Sequence, residues 1–187
     1  MNVFEAIRSR RAVRAYTSRV VDEATIGTLL HAAVQAPTAM HEEPWIFSVV
    51  QSIPQLARWS DRAKAMLLDL ATADPKTHHY RPMLSEPTFN IFYDASTLVV
   101  IGSRERGTYT DADCWLAAEN LMLAARELGL GSCPIGFAVP VLNTPEAKKT
   151  MQFPDSGVVV APILLGYPSA PAPEVPRAEP KILSWIR

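Results

Sequence analysis

Cysteine is scarce in this sequence. The 187-residue chain has two, Cys114 and Cys133, with neither a C-x-x-C spacing nor a metal-ligand pattern. Each stands beside apolar residues, so both read as buried reduced thiols rather than as a disulfide framework. An excess of one charge is missing too. Eighteen Lys and Arg face 19 Asp and Glu, for a net charge of −1. No global field therefore favours nucleic acid. Long hydrophobic runs are absent. The longest, residues 158–167, is too short to span a bilayer and contains Pro162. Glu5 and Arg8 interrupt the apolar segment that a secretory signal would need. The expectation is a soluble cytoplasmic protein.

Familiar catalytic motifs are lacking as well. There is no G-x-S-x-G and no phosphate-binding P-loop. Gly129-Leu130-Gly131 closes a helical pattern, whereas a dinucleotide-binding glycine motif follows a strand and opens a helix. His31, His41, His78 and His79 have no zinc-site spacing, and the His78-His79 pair reads as a solvated segment. No metal is expected.

What is present is ordinary globular composition, 48% hydrophobic and 20% charged, enough for one domain with its own core. Asn2 with Glu5 forms a capping-box pattern ahead of a short helix over residues 3–9. A second helix starts near Asp22 and stops before Pro37. Residues 45–50, 97–101 and 158–165 are apolar and β-rich, hence strands; Pro162 places the last one at an edge or a bulge. A helix opens at Ser52. Residues 74–88, with three prolines and the histidine pair, read as a long polar loop. Residues 111–128 form a helix that is apolar nearly all round, closed by Gly129 and Gly131. Residues 132–137 are a strand edge or tight turn, and a short helix spans residues 144–151. Residues 168–180 carry five prolines and read as an extended arm, followed by strand-like residues 182–186. The class is α+β, a single domain over residues 1–187 with an arm over 168–187.

Charge gathers in one place. Arg8, Arg10, Arg11 and Arg14 fall within seven positions, and Arg19 follows. Two readings stand side by side. Cations near a helix C-terminus complement its dipole. Alternatively, guanidinium forks converge on an anion such as phosphate.

The segment IRSRRAVRAY (7–16) resembles the R-R-S-x-R-x-[FY] opening of the nitroreductase-like FMN-dependent oxidoreductases. APTAMHEEPWIF (36–47) is similar to that family's A-P-S-x-x-N-x-Q-P-W-x-F, and FNIFYDA (89–95) to its F-N-x-F-Y-x-A. AAENLMLAARELGLGS (117–132), PIGF (134–137) and LLGYP (164–168) followed by Arg177 complete an ordered set along the whole chain. The resemblance implies an α+β fold around a mixed or antiparallel sheet. It also implies an interlocked homodimer with exchanged C-terminal arms and an FMN at each subunit interface. NADH or NADPH would reduce the flavin at N5, and a nitroaromatic, quinone or similar acceptor would reoxidise it in ping-pong fashion. A same-fold flavoprotein with another reaction, such as dehalogenation or a biosynthetic oxidation, is the alternative; a non-enzymatic anion-binding module is a further one.

Roles follow by position. Arg10 and Arg177 would contact the phosphate, Arg11 and Ala12 the phosphate and ribityl chain, and Arg14 the pyrimidine edge. Pro37, Thr38, Ala39 and His41 would come from the partner chain. Asn90 and the turn Pro134-Ile135-Gly136 would line the ring, with the Ile135 or Gly136 N–H facing N5. No side-chain acid, base or nucleophile is implied. The chain departs from the pattern at Ala12, where serine is usual, at His41 and Glu43, and at Glu179 in the tail. The loop over 74–88 is the expected cover.

Overall fold

The computed structural model describes residues 1–73 and 75–187. Helix α1 (Val3–Ser9) starts with the expected capping box: the Asn2 side chain accepts from the Glu5 N–H, and the Glu5 carboxylate accepts from the Asn2 N–H. Helix α2 (Glu23–Ala33) is capped by Asp22, which accepts from the Thr25 N–H at 2.8 Å. Strand β1 (Trp45–Val50) leads into α3 (Ile53–Ala73). Residues 75–84 are not a loop. Pro75–Tyr80 is a 3₁₀ helix and Arg81–Leu84 is α4, where Pro82 sits near the helix start and costs no internal hydrogen bond. The part of the loop expectation that falls on residue 74 lies outside the described residues. Strand β2 (Thr97–Ser103), helix α5 (Thr110–Glu127) and strand β3 (Gly131–Pro134) follow. Then come α6 (Val139–Leu142), α7 (Pro145–Met151) and β4 (Val158–Gly166).

The four strands form one antiparallel sheet in the order β1-β2-β4-β3. Its two faces carry two cores. Val99, Ile101, Ile163 and Leu165 pack with Leu29 of α2 and Leu121 of α5. Leu98, Val100 and Leu164 pack on the other face with Trp59 of α3 and Leu142 of α6. Strand alternation explains the division, because neighbouring residues point to opposite faces.

Pro162 is not at an edge. Strand β4 is internal, and Pro162 pairs with Val100 of β2. The Pro162 carbonyl accepts from the Ile135 N–H at 2.9 Å. The N and C=O of one strand residue face the same side, so the donor that proline lacks faces the end of β3, where the ladder stops. The bulge half of the expectation holds nearby: the β2–β4 register shifts between Ile101 and Gly102.

The arm runs without helix or strand from residue 171 on, and up to Arg177 it passes beside residues 10–15. Pro168 bridges Tyr16, and the Ser169 N–H donates to Ala15 O at 3.0 Å. Residues 182–186 form no strand and leave Leu183 98% exposed.

Candidate functional site

After α1 the chain is clamped into an extended run. Arg10 is the C-cap of α1, with its N–H donating to Ala6 O at 2.9 Å. Ala12 makes a parallel bridge to Ser132 of β3, and the Val13 N–H donates to Ser132 O at 3.0 Å. The Thr17 N–H donates to Tyr167 O at 2.8 Å. Val13 is buried, so the alternation turns Arg14 outward. The close approach depends on glycine. A Cβ on Gly131 would lie 2.8 Å from the Val13 Cβ, and one on Gly166 would lie 2.8 Å from the Tyr16 ring. The Tyr16 hydroxyl donates to Val13 O at 2.8 Å, and burial pushes its pKa well above the ordinary tyrosine value.

This run forms one wall of a cavity of about 570 Å³. Arg10, Arg11, Ala12, Arg14, Pro134 and Arg177 all line it. Arg14 and Pro134 also line a second cavity of about 200 Å³, together with Tyr93, Ile135 and Gly136. The two spaces thus meet at Arg14. Its guanidinium lies 6.0 Å from the Tyr93 ring centroid. Tyr93, which lines the second cavity, and Asp94 have φ of 50° and 55°, a left-handed pair of non-glycine residues.

The arginines divide the two readings between them. Arg11 donates through Nη1 to the carbonyls of Arg8 and Arg10, the latter at 2.7 Å, and so caps its own helix end. Arg10 Nε lies 3.3 Å from Glu119 Oε1 without hydrogen-bond geometry. The Nε atoms of both Arg10 and Arg11 are buried donors without a hydrogen-bond partner. Such orphans are costly to bury, while the rest of both guanidiniums lies on residues that line the cavity. Arg8 is exposed, while Arg19 stacks 3.9 Å from the Tyr167 ring centroid.

The turn after β3 separates its two amides. The Ile135 N–H is already committed to Pro162 O. The Gly136 N–H makes no hydrogen bond among the described residues. A Cβ on Gly136 would meet nothing within 4 Å in this chain. The backbone there is open toward the second cavity.

Other expected residues are not brought to these cavities. Asn90 spends its side chain locally, donating to Asp94 Oδ1 at 2.8 Å and accepting from the Phe92 N–H at 2.9 Å. Pro37, Thr38, Ala39 and His41 line neither cavity. Their segment is tied to α5, where the Ala39 N–H donates to Asp113 Oδ1 at 3.2 Å. Met40, His41 and Glu43 have φ of 54°, 57° and 45°, and Met40 is 84% exposed.

Nothing in the sequence singles out Glu119 and Arg126 beside the arginine run, or Asp113 beside residue 39. They stand in the pattern of α5 as a first-turn acid and surface charges. Only the pairing of α5 with residues 9–10 and 39 gives them a place: Arg126 Nε donates to Ser9 Oγ at 3.0 Å.

The chain matches the model of the Nitroreductase family over residues 7–167. It is 32% identical over 172 residues to a protein of Methanothermobacter thermautotrophicus, provisionally named an NADH dehydrogenase/NAD(P)H nitroreductase. That match covers 90% of this chain and 78% of the other. It is 25% identical, over 95% of this chain and 94% of the other, to the iodotyrosine deiodinase of Thermotoga neapolitana. The crystal structure of a nitroreductase with bound FMN from Bacteroides fragilis superposes with a TM-score of 0.83 at 29% identity, covering 100% of this chain and 98% of that one.

Proposed function

The chain belongs to the nitroreductase family, and from that membership we propose that it is an FMN-dependent oxidoreductase. It would take reducing equivalents from NADH or NADPH and pass them to a nitroaromatic, a quinone or a similar acceptor. The observation that carries this reading is the convergence of Arg10, Arg11, Arg14 and Arg177, from two distant segments, on one cavity. That donor set suits a phosphate dianion, because guanidinium forks from separate segments match its oxygens. FMN, when bound, supplies the redox chemistry.

The chain's own residues would bind and orient it. Arg10 and Arg177 would hold the phosphate, and Arg11, with Nη1 spent on its helix end, would add its positive charge at the cavity wall. Ala12 would offer backbone only. Arg14 lies at the junction of the two cavities, where a cation favours negative charge on the pyrimidine edge. The Gly136 N–H is the free donor of the turn and would face the ring. Asn90 would act by holding the 90–94 turn that carries Tyr93. Pro37, Thr38, Ala39 and His41 would serve a second copy of the chain, which makes the working unit a homodimer. The left-handed backbone at Met40, His41 and Glu43, in and beside this segment, supports that role, since such conformations persist where surrounding structure fixes them.

A second reading, reductive dehalogenation of a halogenated phenol, is favoured by the likeness to an iodotyrosine deiodinase along nearly the whole chain. One experiment addresses both. The purified protein should be yellow, release FMN on denaturation and bleach with NADH or NADPH. A colourless protein that takes up no FMN would overturn both readings. Turnover of a nitroaromatic or quinone supports the first, and turnover of an iodophenol alone supports the second.

A further inference from the structure

A third cavity, of about 580 Å³, adjoins the first across Arg10 and Arg11, which line both. Its remaining polar lining comes from Ser9, Arg126, Ser132 and Ser169, and no carboxylate among the described residues lines it. Arg126 stands on the last turn of α5 and is partly buried. Its Nε is spent on Ser9 Oγ, and it makes no ion pair among the described residues. The nearby acids are engaged elsewhere or lie outside this cavity. Glu127 holds the N-terminal amine at 2.8 Å, Glu5 caps α1, and Glu119 sits against Arg10. Glu5 and Glu174 line a neighbouring groove that Arg126 also reaches.

A guanidinium in a half-buried site must find an anion or lose much of its hydration for nothing. Arg126 has no carboxylate partner among the described residues, yet two other guanidiniums share its cavity. Like charges so placed destabilise one another until an anion arrives.

We propose that Arg126 is a positioning residue of the phosphate end: a third guanidinium whose charge draws the FMN phosphate toward Arg10 and Arg11. This rests on the FMN reading above. Arg126 also anchors Ser9, the last residue of α1, so its charge and its hydrogen bond must be separated by experiment.

The test titrates apo full-length protein with FMN and with riboflavin, which lacks the phosphate, following quenching of flavin fluorescence. Wild-type protein that binds both flavins equally would overturn the FMN-phosphate reading and this inference with it. Given that preference, Arg126→Ala should weaken FMN about tenfold or more, the worth of a charge-assisted contact, and leave riboflavin unchanged. Arg126→Lys should restore most of the loss, because it returns the charge without the Ser9 bond. Ser9→Ala should bind FMN within about twofold of wild type, since it removes a single neutral-acceptor hydrogen bond. Equal weakening of both flavins by Arg126→Ala, no weakening of either, or a full reproduction of its loss by Ser9→Ala would each overturn the proposal while the FMN reading stands.

Discussion

Val13 occupies the space that a side chain on residue 131 would need. A Cβ there would lie 2.8 Å from both Cβ and Cγ2 of Val13. This contact lets residues 12–13 lie against β3, ahead of the pairing of residues 15–17 with residues 167–169, and so sets where Arg10, Arg11 and Arg14 emerge.

Gly131→Ala should therefore disturb the site and the fold together. Overpacking in a buried contact costs about 1–3 kcal/mol. The denaturation midpoint should fall accordingly, and FMN affinity should drop with it. Val13→Ala in the same chain removes the two Cγ atoms and should recover part of the stability. Urea unfolding of the single and double variants checks this; identical midpoints for wild type and Gly131→Ala would contradict it.

Gly136→Ala should separate the two properties. Its new Cβ would meet nothing within 4 Å in the chain. Stability of the apo protein should change by less than about 1 kcal/mol, the propensity cost of a glycine replacement. The same methyl would stand in the space assigned to the flavin ring, so FMN affinity should fall at least about tenfold, as a steric clash of that size costs more than about 1.4 kcal/mol. Calorimetry without flavin and fluorescence titration with it give the two numbers. A loss of fold stability with unchanged flavin binding would reverse the assignment.

Much of the fold was legible in the sequence because local signals and burial agreed. The Asn2–Glu5 box, the Asp22 cap and the β-rich runs each named an element that packs as its pattern demands. Pro162 misled because a missing donor was read as a strand property, whereas it depends on where the neighbouring strand ends. Residues 75–84 misled because prolines that break a helix interior are harmless at its first turn. For the site, the arginine run was visible as charge out of proportion to a neutral chain, and Arg177 only through the resemblance. Asp113, Glu119 and Arg126 were not, since nothing in a helix pattern tells which surface charge meets residues far away in sequence. Arg11 shows the converse: its charge was visible, but its duty on the α1 carbonyls was not.

The buried thiols should give alkaline pH a measurable grip on stability. Burial, then Asp111 and Asp113, pushes the Cys114 thiol from 9.0 up to about 12, and burial raises Cys133 as well. Below about pH 9 both thiols are protonated whether the chain is folded or not, and their contribution is fully present. Above it the unfolded thiols ionise while the folded ones do not, so stability falls as pH rises toward the folded value. The slope is at most about 1.4 kcal/mol per pH unit for each thiol. Urea midpoints of wild type and Cys114→Ala, taken at about pH 8 and about pH 10.5, isolate one thiol because Cys133 and Tyr16 are common to both. The gap between the two proteins should narrow at the higher pH; a constant gap would show that Cys114 ionises equally in both states.

The arm offers the most direct test of assembly. Ile182, Leu183, Trp185 and Ile186 are 63%, 98%, 72% and 92% exposed, and no strand of the chain's own sheet takes them up. Four such side chains on a surface mark a contact with another molecule. If they pack on a second copy, each contributes about 1.5–3 kcal/mol of burial. Removing residues 181–187 keeps Arg177 and takes away the apolar end together with Lys181 and Arg187. Dimer affinity should then fall at least about a hundredfold, the equivalent of about 2.7 kcal/mol. Because segment 37–41 would complete the partner's site, FMN should leave as the dimer dilutes. Light scattering with simultaneous flavin absorbance follows both quantities. A truncated protein that stays monomeric with full flavin occupancy would show that one chain suffices, and the strained loop at Met40 would then need a duty within its own chain.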